Sequence, residues 1–170
     1  MTQPRPSRLT RPNSPRRNLP PGGEQSFTCV HCGLPVSCAP DASGVQSRNH
    51  CPVCLSSRHM DWRTPGDRMA TCRAPMEPIG LTTKRSRNKY ARERDGELML
   101  IHRCAGCGKL VINRVAADDD AERLFALFER SLSLGPELGE ALRADGVAPL
   151  VAADRELPRR RLYGGLPEAS

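Results

Sequence analysis

Three Cys-x-x-Cys pairs, Cys29/Cys32, Cys51/Cys54 and Cys104/Cys107, constrain this chain more than any other feature of it. Two intervening residues bring both thiolates to one side of a tight turn, where a tetrahedral ion bridges them at about 2.3 Å each. Gly33 and Gly108 directly follow the second cysteine of their pairs, where a positive φ often finishes such a turn. Cys29, Cys32, Cys51 and Cys54 together spell C-x2-C-x18-C-x2-C, the spacing of one closed zinc site. A redox dithiol of the thioredoxin kind would need a βαβ context that this sequence lacks.

Cys104 and Cys107 need two further ligands. Cys72, a lone thiol among paired ones, is the natural third. His59 in Ser57-Arg58-His59-Met60-Asp61 leads for the fourth place, since a neutral imidazole commonly completes a thiolate site. Cys38 is the runner-up, and Asp61, His50 and His102 compete. The bland reading of Cys38 is a small loop residue; that of His50 is a side chain orienting a neighbouring thiolate. Two zinc ions per chain are therefore expected. Were Cys72, Cys104 and Cys107 the only ligands of the second ion, an open position would leave His59 or Asp61 as a base for a zinc-dependent hydrolase or nuclease. Four-ligand structural zinc is the commoner outcome for sulfur-rich sites.

Composition explains why metal is needed. Leu, Ile, Val and Phe number 32 in 170 residues, about 19%, at the level where charged chains begin to look disordered. Residues 27–116 hold only 16 of them. A metal can supply the folding free energy that so small a core does not, so removing zinc should collapse the fold. No apolar run approaches a membrane span. Residues 1–23 carry five arginines and no acid, but six prolines interrupt them and no apolar segment follows. Neither a signal peptide nor an amphipathic targeting helix fits that pattern, and the chain reads as cytoplasmic, where paired thiols hold metal more often than each other.

Charge falls in blocks: +5 over residues 1–23, −2 over 24–47, +8 over 48–114 and −4 over 115–170. The Arg/Pro-rich opening, 1–23, reads as a disordered tail. Residues 24–118 form a zinc-ribbon-like module. Within it Ser26–Thr28 reads as a strand, and Glu97–His102 and Lys109–Val115 read as a hairpin around the Cys/Gly turn. Residues 119–145 read as one or two helices. Ala121, Leu124, Phe125, Phe128 and Leu132 share a face at helical spacing and Leu127 widens it. Asp118, Asp119 and Asp120 suit the start of that helix, with a metal-binding aspartate cluster as the sharper alternative. Gly135-Pro136 stops it, a short helix over Glu137–Ala144 follows, and 146–170 reads as a flexible tail. The expected class is a small metal-stabilised α+β fold: zinc-ribbon-like β-hairpins with two zinc sites, then an amphipathic C-terminal helix.

The run Arg48-Asn49-His50-Cys51-Pro52-Val53-Cys54 resembles the string that names a bacterial family, the RNHCP domain. The resemblance extends from Phe27 to about Asp120. It takes in Cys29-Val30-His31-Cys32-Gly33, Ser57 to Asp61, Pro65-Gly66-Asp67-Arg68, Cys72, Met76 to Leu81, His102 to Gly108 and Asn113 to Asp119. It implies one zinc-ribbon-like unit and carries no reaction with it.

The leading functional expectation is a non-enzymatic module that contacts structured RNA or the ribosome, with DNA next, through phosphate. Lys84, Arg85, Arg87, Lys89, Arg92 and Arg94 supply six cations in eleven residues between Cys72 and Cys104, and each phosphate neutralised makes binding steeply salt-sensitive. Arg48, Arg58, Arg63, Arg68 and Arg73 extend the positive field. Against this, charge runs are usually solvated, and arginine outnumbers lysine 23 to 3, which inflates arginine everywhere. Only Phe27, Trp62 and Tyr90 are aromatic before residue 120, so stacking on successive bases is weak and backbone recognition fits better. A protein-interaction adaptor, with the Asp119–Leu134 helix as contact face if it does not pack on the hairpin, or a redox-sensitive regulator stands second.

Overall fold

A computed structural model describes residues 26–46, 48–64, 66–84 and 96–164. The N-terminal tail expected over 1–23 lies outside the described residues, as do Arg85, Arg87, Lys89, Arg92 and Arg94 of the basic segment.

Strand β1 (Ser26–Thr28) pairs antiparallel with β2 (Pro35–Ser37), and the Cys29/Cys32 turn joins them. A one-turn helix, α1 (Pro40–Ser43), follows. The main sheet has four antiparallel strands in chain order: β3 (Ser57–Arg58), β4 (Pro75–Lys84), β5 (Glu97–Cys104) and β6 (Leu110–Arg114). The β5–β6 hairpin lies where its two β-rich runs and the Cys/Gly turn between them placed it. Helices α2 (Ala121–Ser131), α3 (Pro136–Ala144) and α4 (Glu156–Tyr163) complete the fold, with a 3-10 turn at Ala152–Asp154. The architecture is a small α+β fold with antiparallel sheets. None of the described helices is long and apolar enough to cross a membrane.

Strand β4 was not legible in the sequence, because Pro78 and Gly80 break its pattern. The structure accommodates both. The register against β5 shifts between Pro78 and Gly80, leaving Ile79 as an extra residue. β3 reaches only Pro75 and Met76, so beyond them Pro78 sits on an open edge, where its missing N–H does no harm. Farther along, the same edge is covered by the chain's later residues. Leu150 N donates to Leu81 O at 2.9 Å and Thr82 Oγ1 donates to Ala148 O at 2.6 Å.

The main core is built from Leu55, Leu81, Leu98, Leu100, Leu124, Leu127, Phe128 and Leu150, with Val115, Phe125, Leu132, Leu157 and Leu162 packed around it. This core corrects two expectations. The apolar face of α2 packs against β4 and is consumed inside the molecule, so it is not a free contact face for a partner. Residues 146–163 are not a flexible tail: Leu150 is buried, Leu157 and Leu162 lean on the core, and Arg155 pairs with Glu129 of α2. No short-range pattern announces this, because three isolated leucines among prolines, glycines and arginines show no periodicity. A second, smaller cluster packs Val36 and Phe27 against Cys29, Cys51 and Cys54 of the first cysteine quartet.

Candidate metal centres

Each Cys-x-x-Cys pair folds into the same knuckle. Cys29 O accepts from Gly33 N at 3.0 Å, Cys51 O from Leu55 N at 2.9 Å and Cys104 O from Gly108 N at 3.0 Å. Cys29 N, Cys51 N and Cys104 N in turn donate to Leu34 O, Ser56 O and Lys109 O. The residue closing each knuckle is left-handed, with φ of 74° at Gly33, 61° at Leu55 and 75° at Gly108. Glycine takes that conformation freely, whereas leucine is strained in it. Leu55 is held there because its side chain is anchored in the main core and its carbonyl accepts from His102 Nε2 at 2.7 Å.

The knuckles converge into two quartets. Cys29, Cys32, Cys51 and Cys54 place their sulfurs within 4.8 Å of one another, and so do the donor atoms of His59, Cys72, Cys104 and Cys107. Cys29 Sγ lies 3.4 Å from Cys54 Sγ and Cys32 Sγ lies 3.7 Å from Cys51 Sγ. In the second quartet Cys72 Sγ is 3.6 Å from Cys104 Sγ, and His59 Nδ1 is 3.4 Å from Cys107 Sγ. A tetrahedral zinc with sulfur at about 2.3 Å sets its sulfurs about 3.8 Å apart. His59 is buried, and its Nε2 has no hydrogen-bond partner among the described residues. A buried imidazole whose one polar neighbour is a thiol fits a metal ligand and little else. The donor sets, four sulfurs and three sulfurs with one nitrogen, are those of structural zinc, and the chain is arranged to hold two such ions. With four protein donors each, neither tetrahedron depends on water to complete it.

The thiols are unequal before metal arrives. Burial raises Cys29, but the N–H groups of Cys32 and His31 and the neighbouring thiols of Cys54 and Cys32 outweigh it and bring it down to about 7. Cys104 is brought down to about 6 against the same opposition, by the N–H groups of Cys107 and Gly106 and the thiols of Cys107 and Cys72. Burial pushes Cys51 up to about 12 and raises Cys54. Each quartet thus favours one early thiolate, and a dication must displace the remaining thiol protons.

The competing fourth ligands are all employed elsewhere. Cys38 Sγ donates to Arg48 O at 3.7 Å. Asp61 accepts from Gly66 N and Arg68 N, closing its own loop. His102 is held between Leu55 O and the Asn113 side chain, and burial lowers it to about 4, so it stays neutral.

His50 belongs to a buried ionic clamp. Its Nε2 lies 2.8 Å from Asp119 Oδ2. Arg48 donates through Nη2 to Asp119 Oδ1 at 3.0 Å, through Nη1 to Asp118 Oδ2 at 2.6 Å and through Nε to His50 O at 3.0 Å. Arg48 is 3% exposed, which corrects its place among the phosphate-contacting residues: each of its three guanidinium nitrogens donates to an oxygen of the protein itself. Of the three aspartates, only Asp120 caps α2, accepting from Arg123 N at 3.0 Å. Opposite charges 70 residues apart carry no local signal, so this pairing was invisible in the sequence. Arg58 and Lys84, by contrast, are exposed.

A family model, that of the RNHCP domain, matches residues 24–125. No curated protein and no solved structure matches the chain.

Proposed function

This chain belongs to the RNHCP domain family, and from that premise and its two metal quartets we propose that it is a zinc-binding module that grips the phosphate backbone of structured RNA, the ribosome being one such target. The observation that carries the reading is where the basic segment Lys84–Arg94 is tethered. Lys84 and Glu97 are Cα partners at the end of the β4–β5 ladder, so both ends of the segment leave the body side by side. Tethering at both ends reduces the ordering entropy lost when such a loop settles on a ligand. The segment whose flanks meet there carries six cations in its sequence. Arg161 of α4 lies at that end too, donating to Gly96 O at 3.0 Å, and Arg58, Arg63, Arg73 and Arg103 are exposed elsewhere on the zinc-bearing half.

The test is binding of a structured RNA, and of ribosomes by sedimentation, across a salt series. Replacing Lys84, Arg85, Arg87 and Lys89 together with serine should weaken binding at least about tenfold and lower the log–log salt slope by about 3, while leaving two zinc ions per chain. Wild-type protein that fails to bind RNA at low salt would refute the proposal.

A further inference from the structure

Among the described residues the loop from Asp61 to Met69 is unusually well secured for something that ends in an exposed indole. Asp67 accepts four backbone N–H groups, those of Trp62, Arg63, Thr64 and Met69, at 2.8 to 3.0 Å. These bonds hold its carboxyl well below the usual carboxylate range. Asp61 accepts two more, from Gly66 and Arg68. Lys109, which leads into β6, donates to Trp62 O and sets its ammonium 5.3 Å from the centre of the indole ring. The product of all this is Trp62, the one tryptophan of the chain, fixed in place yet 50% exposed. Nothing in the core requires it there.

Trp62 borders a groove of about 500 Å³ between its loop and β6, inside the size range of small-ligand sites. Met60, Val111 and Ile112 give the groove apolar walls, and Arg58, Arg63 and Lys109 bring cations to it. Of the two carboxylates there, Asp61 is engaged by its own loop, and Asp145 lines the groove from the end of α3. An indole ring, apolar walls and two arginines complement a flat heterocycle that carries a phosphate. We infer that this groove takes one unpaired nucleotide, its base stacked on Trp62 and its phosphate met by the arginines. The inference rests on the RNA reading above and deepens it. The basic segment holds backbone without regard to pairing, while Trp62 admits a single flipped-out or single-stranded base. One aromatic serves one base, which agrees with the scarcity of aromatics in this half of the chain.

Because Trp62 is alone, its fluorescence reports on this groove and on nothing else. The experiment titrates the zinc-loaded full chain with a short single-stranded RNA, a fully paired duplex and AMP, reading tryptophan emission and, in parallel, anisotropy of labelled RNA. Single-stranded RNA and AMP should quench the emission saturably, and the duplex should bind without quenching. Trp62→Ala should weaken single-strand binding about tenfold and leave duplex binding and zinc content unchanged, with Trp62→Phe restoring most of the loss. Single-stranded RNA that binds with unchanged emission would overturn the stacking site alone, leaving the backbone reading intact. Absence of any RNA binding would remove both. If RNA leaves the emission untouched but a ribonuclease-treated extract shields Trp62 from iodide, the indole is a protein anchor and the inference is wrong.

Discussion

Arg48, Asn49 and His50 stand immediately before a metal ligand, yet their task is to hold a different part of the chain. Arg48 and His50 converge on Asp119, whose carboxylate is fully buried and also accepts from Ala116 N at 2.7 Å. Ser57 Oγ donates to Asn49 O and Asp120 N to Pro52 O, so side chains and backbone together fasten the second knuckle to the start of α2. Removing one member of such a buried set leaves its partners charged or polar and unpaired. Asp119→Ala should therefore destabilise the zinc-saturated protein by about 3–5 kcal/mol, measured as a shift of the denaturant midpoint. At this scale the sequence was legible where chemistry is local and opaque where it is not. The spacing of the cysteines and the choice of His59 for the fourth place agree with the quartets that form. Arg48 looked like one more surface cation because its partners lie some seventy positions away, and no property of an arginine reveals which carboxylate it will meet.

Elements of this fold are defined by their turns. The three knuckles share one hydrogen-bond pattern, and two of them advertise it with a glycine, whereas the third substitutes Leu55 and compensates by burying that side chain. The turn at Cys104–Cys107 carries a further demand. A Cβ added to Gly106 would stand 2.8 Å from Ala74 Cβ and 3.0 Å from Cys72 Sγ, closer than such atoms tolerate. Gly106→Ala should push Cys72 out of the second quartet, weakening zinc there by about 1–3 kcal/mol. Competition with a chromogenic chelator should then show one easily lost ion and one unchanged. The β5–β6 hairpin was readable as two apolar, β-rich runs around a Cys/Gly turn, and α2 because its apolar residues repeat at helical spacing. β4 was not, since a bulge and an edge proline trade pattern for fit, and its pairing with β5 is settled by packing rather than by its own residues.

On the scale of the whole molecule the fold is unevenly supported. The cysteines of the first quartet cluster with Val36 and Phe27, whereas the sheet and α2, joined by Leu55 and Leu150, build a core of eight buried residues. Composition alone suggested that zinc must hold everything, because the apolar count within 27–116 omits the leucines supplied later in the chain. The structure divides the work: metal organises the knuckles, and residues 121–162 add the leucines that β4 and β5 lack. Removing both ions with a strong chelator should therefore unfold the molecule in stages. Amides over 26–58 should lose hydrogen-exchange protection first, with β5 and α2 retaining theirs longer; simultaneous loss everywhere would mean that the leucine core has no standing of its own.

The strip that closes over β4, from Ala148 to Leu150, has a consequence for biosynthesis. During translation all eight metal ligands have been polymerised by Cys107, forty-three residues before Leu150 seals the core. The order of synthesis therefore offers the thiols to the cell's metal supply while the hydrophobic half is still incomplete. Chain order thus allows zinc to load before the core closes, so that the core can close on knuckles already set.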